Sequence, residues 1–334
     1  MDCPQTRGGS AGEGLVSAGP ASLDWHRQPS WTSGWADRKA DALNETRRFV
    51  DLHTHSSASD GSLRPAEIPR LAEAERLAAV ALTDHDTTDG LAEARAAAAE
   101  FPELRFVGGV EVSAVFSPGT LHVLGLGIDE NTPALARLLG HFRAARRERN
   151  PRILSKLQAM GLRIDMDDVR AAAPDPDGAP REIISRLHIA HALVGKGFVA
   201  SISEAFARYL GDGAPAYVPK ERLAAAEVIE AIHAAGGAAV VAHPVQMKCA
   251  GRGDLERAIH SLVDVGLDGI EVHHSDHTDE QTRFYLELAR QMDLLITGGS
   301  DFHGSSKPDA RLGRPPMVRS LIGEPWASRW FAGP

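Results

Sequence analysis

From residue 48 onward, short apolar segments alternate along the chain with longer, Ala-rich amphipathic segments. The short segments have the length of buried strands, and the longer ones carry apolar residues at helical spacing. The predicted strands are Arg48–Leu52, Ala78–Leu82, Arg105–Val107, Val110–Phe116, Leu121–Gly127, Ala238–Ala242, Gly269–Val272 and Leu294–Thr297. The predicted helices are Pro65–Arg76, Thr88–Ala99, Ala224–Ala235, Leu255–Val265 and Asp279–Gln291. This alternation predicts a parallel α/β sheet or barrel.

A central stretch, from about residue 131 to residue 215, breaks this alternation. It predicts consecutive helices without a strand between them, over Pro133–Ala159, Asp167–Ala172, Arg181–Lys196 and Ser201–Tyr209. A helical insertion into an α/β core is the simplest explanation. The predicted organisation is a disordered N-terminal extension over 1–47, the barrel over 48–130 and 216–315, the insertion over 131–215 and a C-terminal tail over 316–334.

Composition narrows the class of protein and the kind of site. Apolar residues make up 43% and charged residues 24% of the chain, as in ordinary soluble globular proteins. No apolar run approaches the ~20 residues that span a bilayer, and the first residues lack a secretory pattern, so we expect a cytoplasmic protein. The formal net charge of -9 gives no overall attraction for polyanions. With only Cys3 and Cys249, a thiolate zinc site is excluded.

Almost every predicted core strand carries a histidine or an acidic residue at or near its carboxyl end. In parallel α/β folds, this edge is where functional sites are built. Neutral imidazole and ionised carboxylate are the ligands expected for zinc, manganese or iron. The candidate ligands are His53, His55, Asp60, His85, Glu111, His122, His243, Asp301 and His303. Nine ligands are more than one metal needs, which predicts two or three metals that share a bridging carboxylate.

Four of these segments resemble, in order, the motifs of the polymerase and histidinol phosphatase (PHP) family, over residues 49 to about 313. The matching segments are Asp51-Leu52-His53-Thr54-His55 with Ser59-Asp60-Gly61, then Thr83-Asp84-His85-Asp86, His243-Pro244 and Gly299-Ser300-Asp301-Phe302-His303. The insertion is similar to a subgroup that contains bacterial nucleoside 3',5'-bisphosphate phosphatases and the 5'-to-3' exoribonuclease called RNase AM. That similarity rests on Arg186-Leu187-His188-Ile189-Ala190 and Tyr209-Leu210-Gly211.

The resemblance implies an α/β fold, a distorted (β/α)7 barrel with an inserted, mostly helical subdomain. It also implies three divalent metals per chain, with manganese favoured and zinc or iron as alternatives. By the family's pattern, the first metal is held by His53, His55, Glu111 and Asp301. The second takes Glu111 as a bridge with His122 and His243, and the third takes Asp60, His85 and His303.

Other residues are predicted to assist the reaction or to bind the substrate. With several metals the nucleophile is a metal-bound hydroxide, and no protein nucleophile is needed. Asp84 is expected to orient a ligand, and His188 to help protonate the leaving group. Arg186, His188, Lys220 and Arg146 are the predicted phosphate contacts, because a guanidinium donates two parallel hydrogen bonds to a phosphate. One ring of the pair His273-His274 is a further candidate for the pocket wall.

The predicted function is hydrolysis of a phosphate ester on a nucleotide, such as a nucleoside 3',5'-bisphosphate, or at the 5' end of a short oligonucleotide. No stable protein partner and no membrane association are predicted. The first alternative is a histidinol-phosphatase-like enzyme acting on a small phosphorylated amino alcohol. The second, from another class, is a metal-binding regulatory module without turnover.

Overall fold

The computed structural model describes residues 49–172, 183–219 and 221–331. The N-terminal extension predicted over 1–47 and the predicted phosphate contact Lys220 lie outside these ranges. Within them, no helix combines the length and the apolar character that crossing a bilayer requires.

Eight strands form one curved sheet in the order β7-β6-β5-β4-β3-β2-β1-β8. The strands are β1 Phe49–Asp51, β2 Ala79–Leu82, β3 Arg105–Ala114, β4 Leu121–Leu126, β5 Ala238–Val241, β6 Gly269–His274, β7 Leu295–Gly299 and β8 Met317–Val318. The backbone N–H of Leu52 donates to the carbonyl of Gly298 at 3.0 Å, and Thr54 pairs with Phe302. These contacts join the ends of β1 and β7, so the sheet is a nearly closed barrel, and the predicted α/β barrel is confirmed.

Strand β4 departs from the predicted parallel arrangement, because it runs antiparallel to both β3 and β5. The reason is the connection before it: residues 115–120 are too few for the crossover helix that two parallel strands need. The reversal has one consequence for the site. His122 lies near the start of β4, opposite Ser113 of β3, and therefore at the same edge as the carboxyl ends of the parallel strands.

Strand β3 is one continuous strand, whereas the sequence predicted two strands separated by Gly108-Gly109. The backbone stays extended through both glycines. At Gly109 a side chain is excluded, because an added Cβ would lie 2.8 Å from the carbonyl oxygen of Gly125 and 2.9 Å from the methyl group of Thr83. The glycine therefore permits close strand packing here rather than a turn.

The helices pack around the outside of the barrel and above it. They are α1 Glu67–Ala74, α2 Leu91–Ala98, α3 Pro133–Ala159, α4 Met166–Ala172, α5 Arg186–Gly195, α6 Ile202–Ala205, α7 Ala225–Ala234, α8 Arg252–Val263, α9 Asp279–Gln291 and α10 Trp326–Phe331. A π-helical turn, Phe206–Leu210, continues α6. One core lies between the sheet and the outer helices, with Ile68, Leu91, Ile232, Ile259 and Leu288 fully or almost fully buried.

A second core fills the barrel interior and includes a contribution from the C-terminal segment. Strand β8 pairs antiparallel with β1, and Trp330 of α10 is part of this buried core, with its indole nitrogen beside Gly127 just after β4. The residues predicted as a tail thus complete the barrel. A two-residue strand and a six-residue helix are too short to show a hydrophobic period, so the sequence carried no signal for them.

The insertion has its own core, built on Ile153, Leu157, Ile189, Leu193 and Leu210. Helix α3 belongs to two cores. Its first half buries Leu135, Leu139 and Phe142 in the outer barrel core, and its second half buries Ile153 and Leu157 in the insertion. The 27-residue helix therefore ties the insertion to the barrel wall.

Candidate metal centre

All nine predicted ligands lie together at one mouth of the barrel, linked by side-chain contacts of 2.7 to 3.9 Å. They come from the ends of separate strands, which the barrel brings to one edge. His53 and His55 follow β1, His85 follows β2, Glu111 lies in β3 and His122 in β4. The others follow later strands or lie in the loop after His55; they are Asp60, His243, Asp301 and His303.

The first predicted ligand set forms a compact buried group. The Nε2 atom of His53 lies 3.4 Å from Glu111 Oε2 and 3.5 Å from Asp301 Oδ1, and His55 Nε2 lies 3.2 Å from both of these oxygens. Such separations are those of four atoms about 2.1 Å from a common centre. Within the described residues, His53 Nε2 and His55 Nε2 are buried without a hydrogen-bond partner. These orphaned atoms fit a divalent cation.

Glu111 lies at the centre of the ligand set. Its Oε1 atom is 2.7 Å from His122 Nδ1 and 2.9 Å from His243 Nε2, and its Oε2 atom is 2.9 Å from His85 Nδ1. One carboxylate thus faces imidazoles that follow β1, β2 and β5 and one that lies in β4, which is the geometry a bridging ligand requires.

The remaining acid–histidine group lies toward the solvent side of the mouth. Asp60 lies 3.3 Å from His303 Nε2 and 3.9 Å from His85 Nε2. The ring of His303 stacks on His55 with 4.1 Å between centroids, and its Nδ1–H donates to the carbonyl oxygen of Asp301 at 2.9 Å. This bond orients the ring so that Nε2 faces Asp60. His85 is shared between this group and a group with Glu111 and His122.

The buried carboxylates of the centre favour positive charge on the groups around them. Burial alone would raise the pKa of Glu111, yet His85, His122 and His53 hold that pKa well below its usual range. Burial would lower the pKa of His85, but Glu111 and Asp60 raise it to about 9. At His122 burial outweighs the attraction of Glu111, and the pKa falls to about 4. In the metal-free protein, protons therefore occupy part of the place that metals would take.

Two buried carboxylates brace the loops that carry the ligands. Asp84 accepts from the backbone N–H of Ser56 at 2.8 Å and from the hydroxyls of Ser56 and Ser59, both at 2.6 Å. It therefore holds the loop between His55 and Asp60. Asp51 does the same for the loop after β7, because it accepts from the backbone N–H and the hydroxyl of Ser300.

The backbone is strained where three of these loops leave their strands. His243 has φ +26°, Asp301 has φ +52° and Asp86 has φ +55°, in the left-handed region that non-glycine residues seldom occupy. Such conformations persist only where surrounding contacts hold them, and they concentrate at functional sites.

Two residues of the centre, Glu271 and Lys307, were not predicted from the sequence, and His274 was predicted only as one of a pair of candidates for the pocket wall. Glu271 lies beneath His53, and Lys307 Nζ lies 2.9 Å from Asp301 Oδ2. Of the pair His273-His274, His274 is the ring beside the centre, with centroids 5.9 Å from His53 and 5.3 Å from His243. A charged residue inside the apolar run Gly269–Val272 was the available signal for Glu271.

Basic side chains of the insertion lie next to the centre. Arg146 forms an ion pair with Asp86, the residue after His85, while its Nε atom is buried without a partner in the described part of the chain. Arg149 is 6% exposed. Burial, together with repulsion from Arg146 and Arg186, lowers the pKa of Arg149 to about 9. This is a buried cluster of cations with too few anions, as expected of an anion-binding pocket.

The other predicted substrate contacts are partly engaged within the insertion. Arg186 donates to the carbonyl of Leu210 at 3.0 Å and lies over the ring of Tyr217, 5.3 Å from its centroid. The Nδ1 atom of His188 accepts from the backbone N–H of Ser185 at 3.0 Å, at the start of α5. His188 is 3% exposed, so in this structure it serves first as a helix cap.

Comparison with known proteins agrees with this geometry. Residues 51–264 match the PHP domain. The chain belongs to the PHP domain family. One PHP relative, the 3',5'-nucleoside bisphosphate phosphatase of Chromobacterium violaceum, is 39% identical over 277 residues, or 81% of this chain and 94% of that protein. Another, a 5'-3' exoribonuclease of Haemophilus influenzae, is 37% identical over 258 residues, or 77% and 90% of the two chains.

A solved structure is also similar to this chain in its fold. A predicted metal-dependent phosphoesterase from Bifidobacterium adolescentis superposes with a TM-score of 0.73 at 34% identity, covering 81% of this chain and 93% of that one. The similarity thus extends over the barrel and the insertion together rather than over one of them.

Proposed function

We propose that this PHP protein is a metal-dependent phosphoesterase that removes a phosphate from a nucleotide or from the 5' end of a short oligonucleotide. The observation that carries the proposal is the convergence of nine His, Asp and Glu side chains around Glu111 at the barrel mouth. The relatives named above act on a nucleoside bisphosphate and on RNA, which supports a nucleotide as the substrate class.

The donor set fits divalent metals, and we propose three, with manganese favoured over zinc or iron. His53, His55, Glu111 and Asp301 would hold the first, Glu111, His122 and His243 the second, and Asp60, His85 and His303 the third. When bound, the metals lower the pKa of water and neutralise charge on the phosphate. Asp84 keeps the loop that carries Asp60 in place. A cytoplasmic location stays a prediction from the sequence.

The arginines of α3 determine which phosphate ester fits best. Arg146 and Arg149 lie beside the centre on the insertion, and both are buried. A phosphate bound there would relieve the repulsion between these guanidinium groups and accept hydrogen bonds from them. The reacting phosphate lies at the metals, so this pocket serves a second phosphate on the same molecule. We therefore favour a bisphosphate over a monophosphate such as histidinol phosphate.

The test compares substrates and variants in one assay of phosphate release with Mn²⁺-loaded enzyme. Adenosine 3',5'-bisphosphate should be hydrolysed at a lower KM than adenosine 3'-monophosphate or histidinol phosphate. Replacement of Arg149 by Met should raise the KM for the bisphosphate about tenfold or more, since a hydrogen bond to a charged group contributes ~1.5–3 kcal/mol. The monophosphate KM should stay the same.

Arg152→Met is the matched control, because Arg152 is exposed one turn further along α3. Short 5'-phosphorylated oligonucleotides tested in parallel distinguish an exonuclease from a mononucleotide phosphatase. If a metal-loaded preparation releases phosphate or nucleotide from none of these compounds, the proposed function is wrong.

A further inference from the structure

A single carboxylate beneath the centre touches residues of two different ligand sets. Glu271 lies in β6 and is fully buried. Its Oε1 and Oε2 atoms are 3.1 and 3.2 Å from Nδ1 of His53, and Oε2 also accepts from the backbone N–H of His243 at 2.8 Å. His53 belongs to the first proposed metal and His243 to the second.

At His53, this contact selects the atom that can bind a metal. An ionised carboxylate only accepts hydrogen bonds, so Nδ1 of His53 carries the proton and donates it to Glu271. The lone pair is then on Nε2, which faces Glu111 and Asp301 at 3.4 and 3.5 Å. Glu271 thereby sets both the tautomer and the ring orientation of this ligand.

At His243, the same carboxylate holds the backbone. This residue has φ +26° and ψ +66°, an unfavourable conformation at the point where β5 gives way to Pro244. The hydrogen bond from its N–H to Glu271 stabilises that conformation, and in it His243 Nε2 lies 2.9 Å from Glu111 Oε1. The side chain reaches the ligand position because the backbone is held in this way.

Glu271, His53 and His274 form a buried group whose donor atoms lie within 4.8 Å of one another, but the hydrogen bonds of Glu271 favour a positioning role over metal coordination. Both of its oxygens face N–H groups of His53 or His243. On its other side lies His274 Nε2, 4.0 Å away. The Nδ1 atom of His274 accepts from the backbone N–H of Asp276 at 3.0 Å, so its Nε2 carries the proton and also points a donor at the carboxylates. Donors therefore surround the Glu271 carboxylate.

We propose that Glu271 is a positioning residue that couples two metal sites, because one carboxylate orients the His53 ring and holds the His243 backbone. The inference rests on the ligand assignment of the proposed function. Its readout is metal affinity and imidazole protonation rather than turnover, so it can be tested whether or not the proposed substrate is hydrolysed.

The experiment titrates metal-free protein with Zn²⁺ against a competing chelator in three variants. Glu271→Gln keeps the shape but presents an amide NH₂ to one of its two donors. Glu271→Asp keeps the charge but is one methylene too short to reach both. We expect each to weaken zinc binding about 10- to 100-fold. Glu230→Gln, which removes an exposed carboxylate of α7, should bind zinc as the unmodified protein does.

A second measurement needs no variant of Glu271. In zinc-loaded, unmodified protein, long-range ¹H–¹⁵N spectra should show His53 protonated at Nδ1, with His53→Asn identifying the signal. Zinc affinity within about twofold of normal in both Glu271 variants would overturn the proposal. So would normal affinity in Glu271→Asp alone, which would mean that charge and not position matters. A His53 ring without a proton on Nδ1 overturns it even if both variants fail to fold.

Discussion

At the scale of single residues, the centre is a set of buried acids and imidazoles held close together by the fold. Glu111 is wholly buried and faces five histidines, and Asp301 faces His53, His55 and Lys307. Such a group is stable only with a compensating cation, a proton or a metal, because an unpaired buried charge costs several kcal/mol. Individual ligands should therefore be indispensable.

Replacing Asp301 by Asn should reduce turnover more than about 100-fold. Even a lost partner of a metal ligand costs 10- to 100-fold in affinity or activity, and Asp301 is a proposed ligand itself. The measurement is phosphate release from adenosine 3',5'-bisphosphate together with bound metal per chain. Asp264→Asn, at an exposed position, is the control. A regulatory module without turnover would instead show a changed free energy of unfolding and no activity in either protein.

Without its metals, the protein should become less stable as the pH rises above about 6.5. In the metal-free protein the pKa of His85 is about 9, against 6.5 for an ordinary histidine, since Glu111 and Asp60 outweigh burial. The stabilisation from this charged ring is complete below about pH 6.5 and is lost as the pH rises through about 9. The free energy of unfolding of the metal-free protein should therefore fall over this window.

Metal binding needs neutral imidazole, so the stabilisation by added Mn²⁺ should grow over the same window. Urea unfolding at pH 6.5, 7.5 and 9, with a chelator or with Mn²⁺, measures both effects. A metal-free protein that becomes more stable between pH 6.5 and 9 would contradict the placement of a charged His85 beside Glu111 and Asp60.

The sequence could predict that the nine proposed ligands lie together, because most of them are histidines or acids at the carboxyl ends of strands, and these ends share one edge of the barrel. Their partners could not be predicted in this way. Glu271 lies inside an apolar strand, and only the curvature of the barrel brings it under His53, 218 residues away. The pairing of Arg146 with Asp86 likewise depends on the path of α3, which no local pattern encodes.

At the scale of elements, the site depends on how closely β1 and β7 approach. A Cβ added to Gly299 would lie 2.3 Å from the Cβ of His53 and 2.5 Å from its backbone nitrogen. The absence of a side chain at this position lets the two strand ends meet, and the hydrogen bond from the Asp301 N–H to the His53 carbonyl closes the junction at 2.9 Å.

Gly299→Ala should therefore destabilise the protein by about 1–3 kcal/mol, as overpacking in a core does, and should also weaken metal binding. Gly140→Ala is the matched control, because Gly140 lies within α3 and an added Cβ would meet no described atom within 4 Å. That change should stabilise by about 0.5–1 kcal/mol through helix propensity. Urea midpoints of both variants decide the comparison, and equal midpoints would contradict it.

Apart from β3, which was predicted as two strands, the longer strands and helices were predicted with shifts only at their ends, because their hydrophobic patterns extend over several residues. The antiparallel direction of β4 was not predicted. Its apolar pattern is the same for either direction, and only the shortness of the connection at residues 115–120 argues for an antiparallel pair. The short elements of the C-terminal segment went unrecognised for lack of any period.

At the scale of the whole molecule, the base of the barrel is closed by residues distant in sequence from its start. Trp330 is 8% exposed and belongs to the interior core, and its indole nitrogen lies beside Gly127, at the end of β4 away from His122. Its position opposite the metal mouth means that the C-terminal segment supports the barrel without touching the chemistry.

Trp330→Ala should lower the free energy of unfolding by about 3 kcal/mol, the usual cost of removing a large aromatic side chain from a core. Trp326, on the same helix and half-buried, offers a comparison: Trp326→Ala should cost clearly less. Denaturant unfolding of the two variants measures the difference. At a temperature where Trp330→Ala stays folded, its kcat should match that of the unmodified enzyme. A large loss of kcat would show that packing at the base of the barrel affects the metal centre.

The reversal of β4 leaves the chain at the base of the barrel, far from the mouth, just before α3 begins. A helix of 27 residues is about 40 Å long, so α3 climbs the barrel wall and passes beyond the mouth. Under the proposed function, the number of residues between Leu139, which is anchored in the wall, and Arg149 would set the distance from the arginines to the metals, and therefore the length of substrate that reaches both. Adding or deleting four residues in that interval, about one turn, would keep the arginines on the same face of α3 and would move them by about 6 Å along the helix axis relative to Leu139.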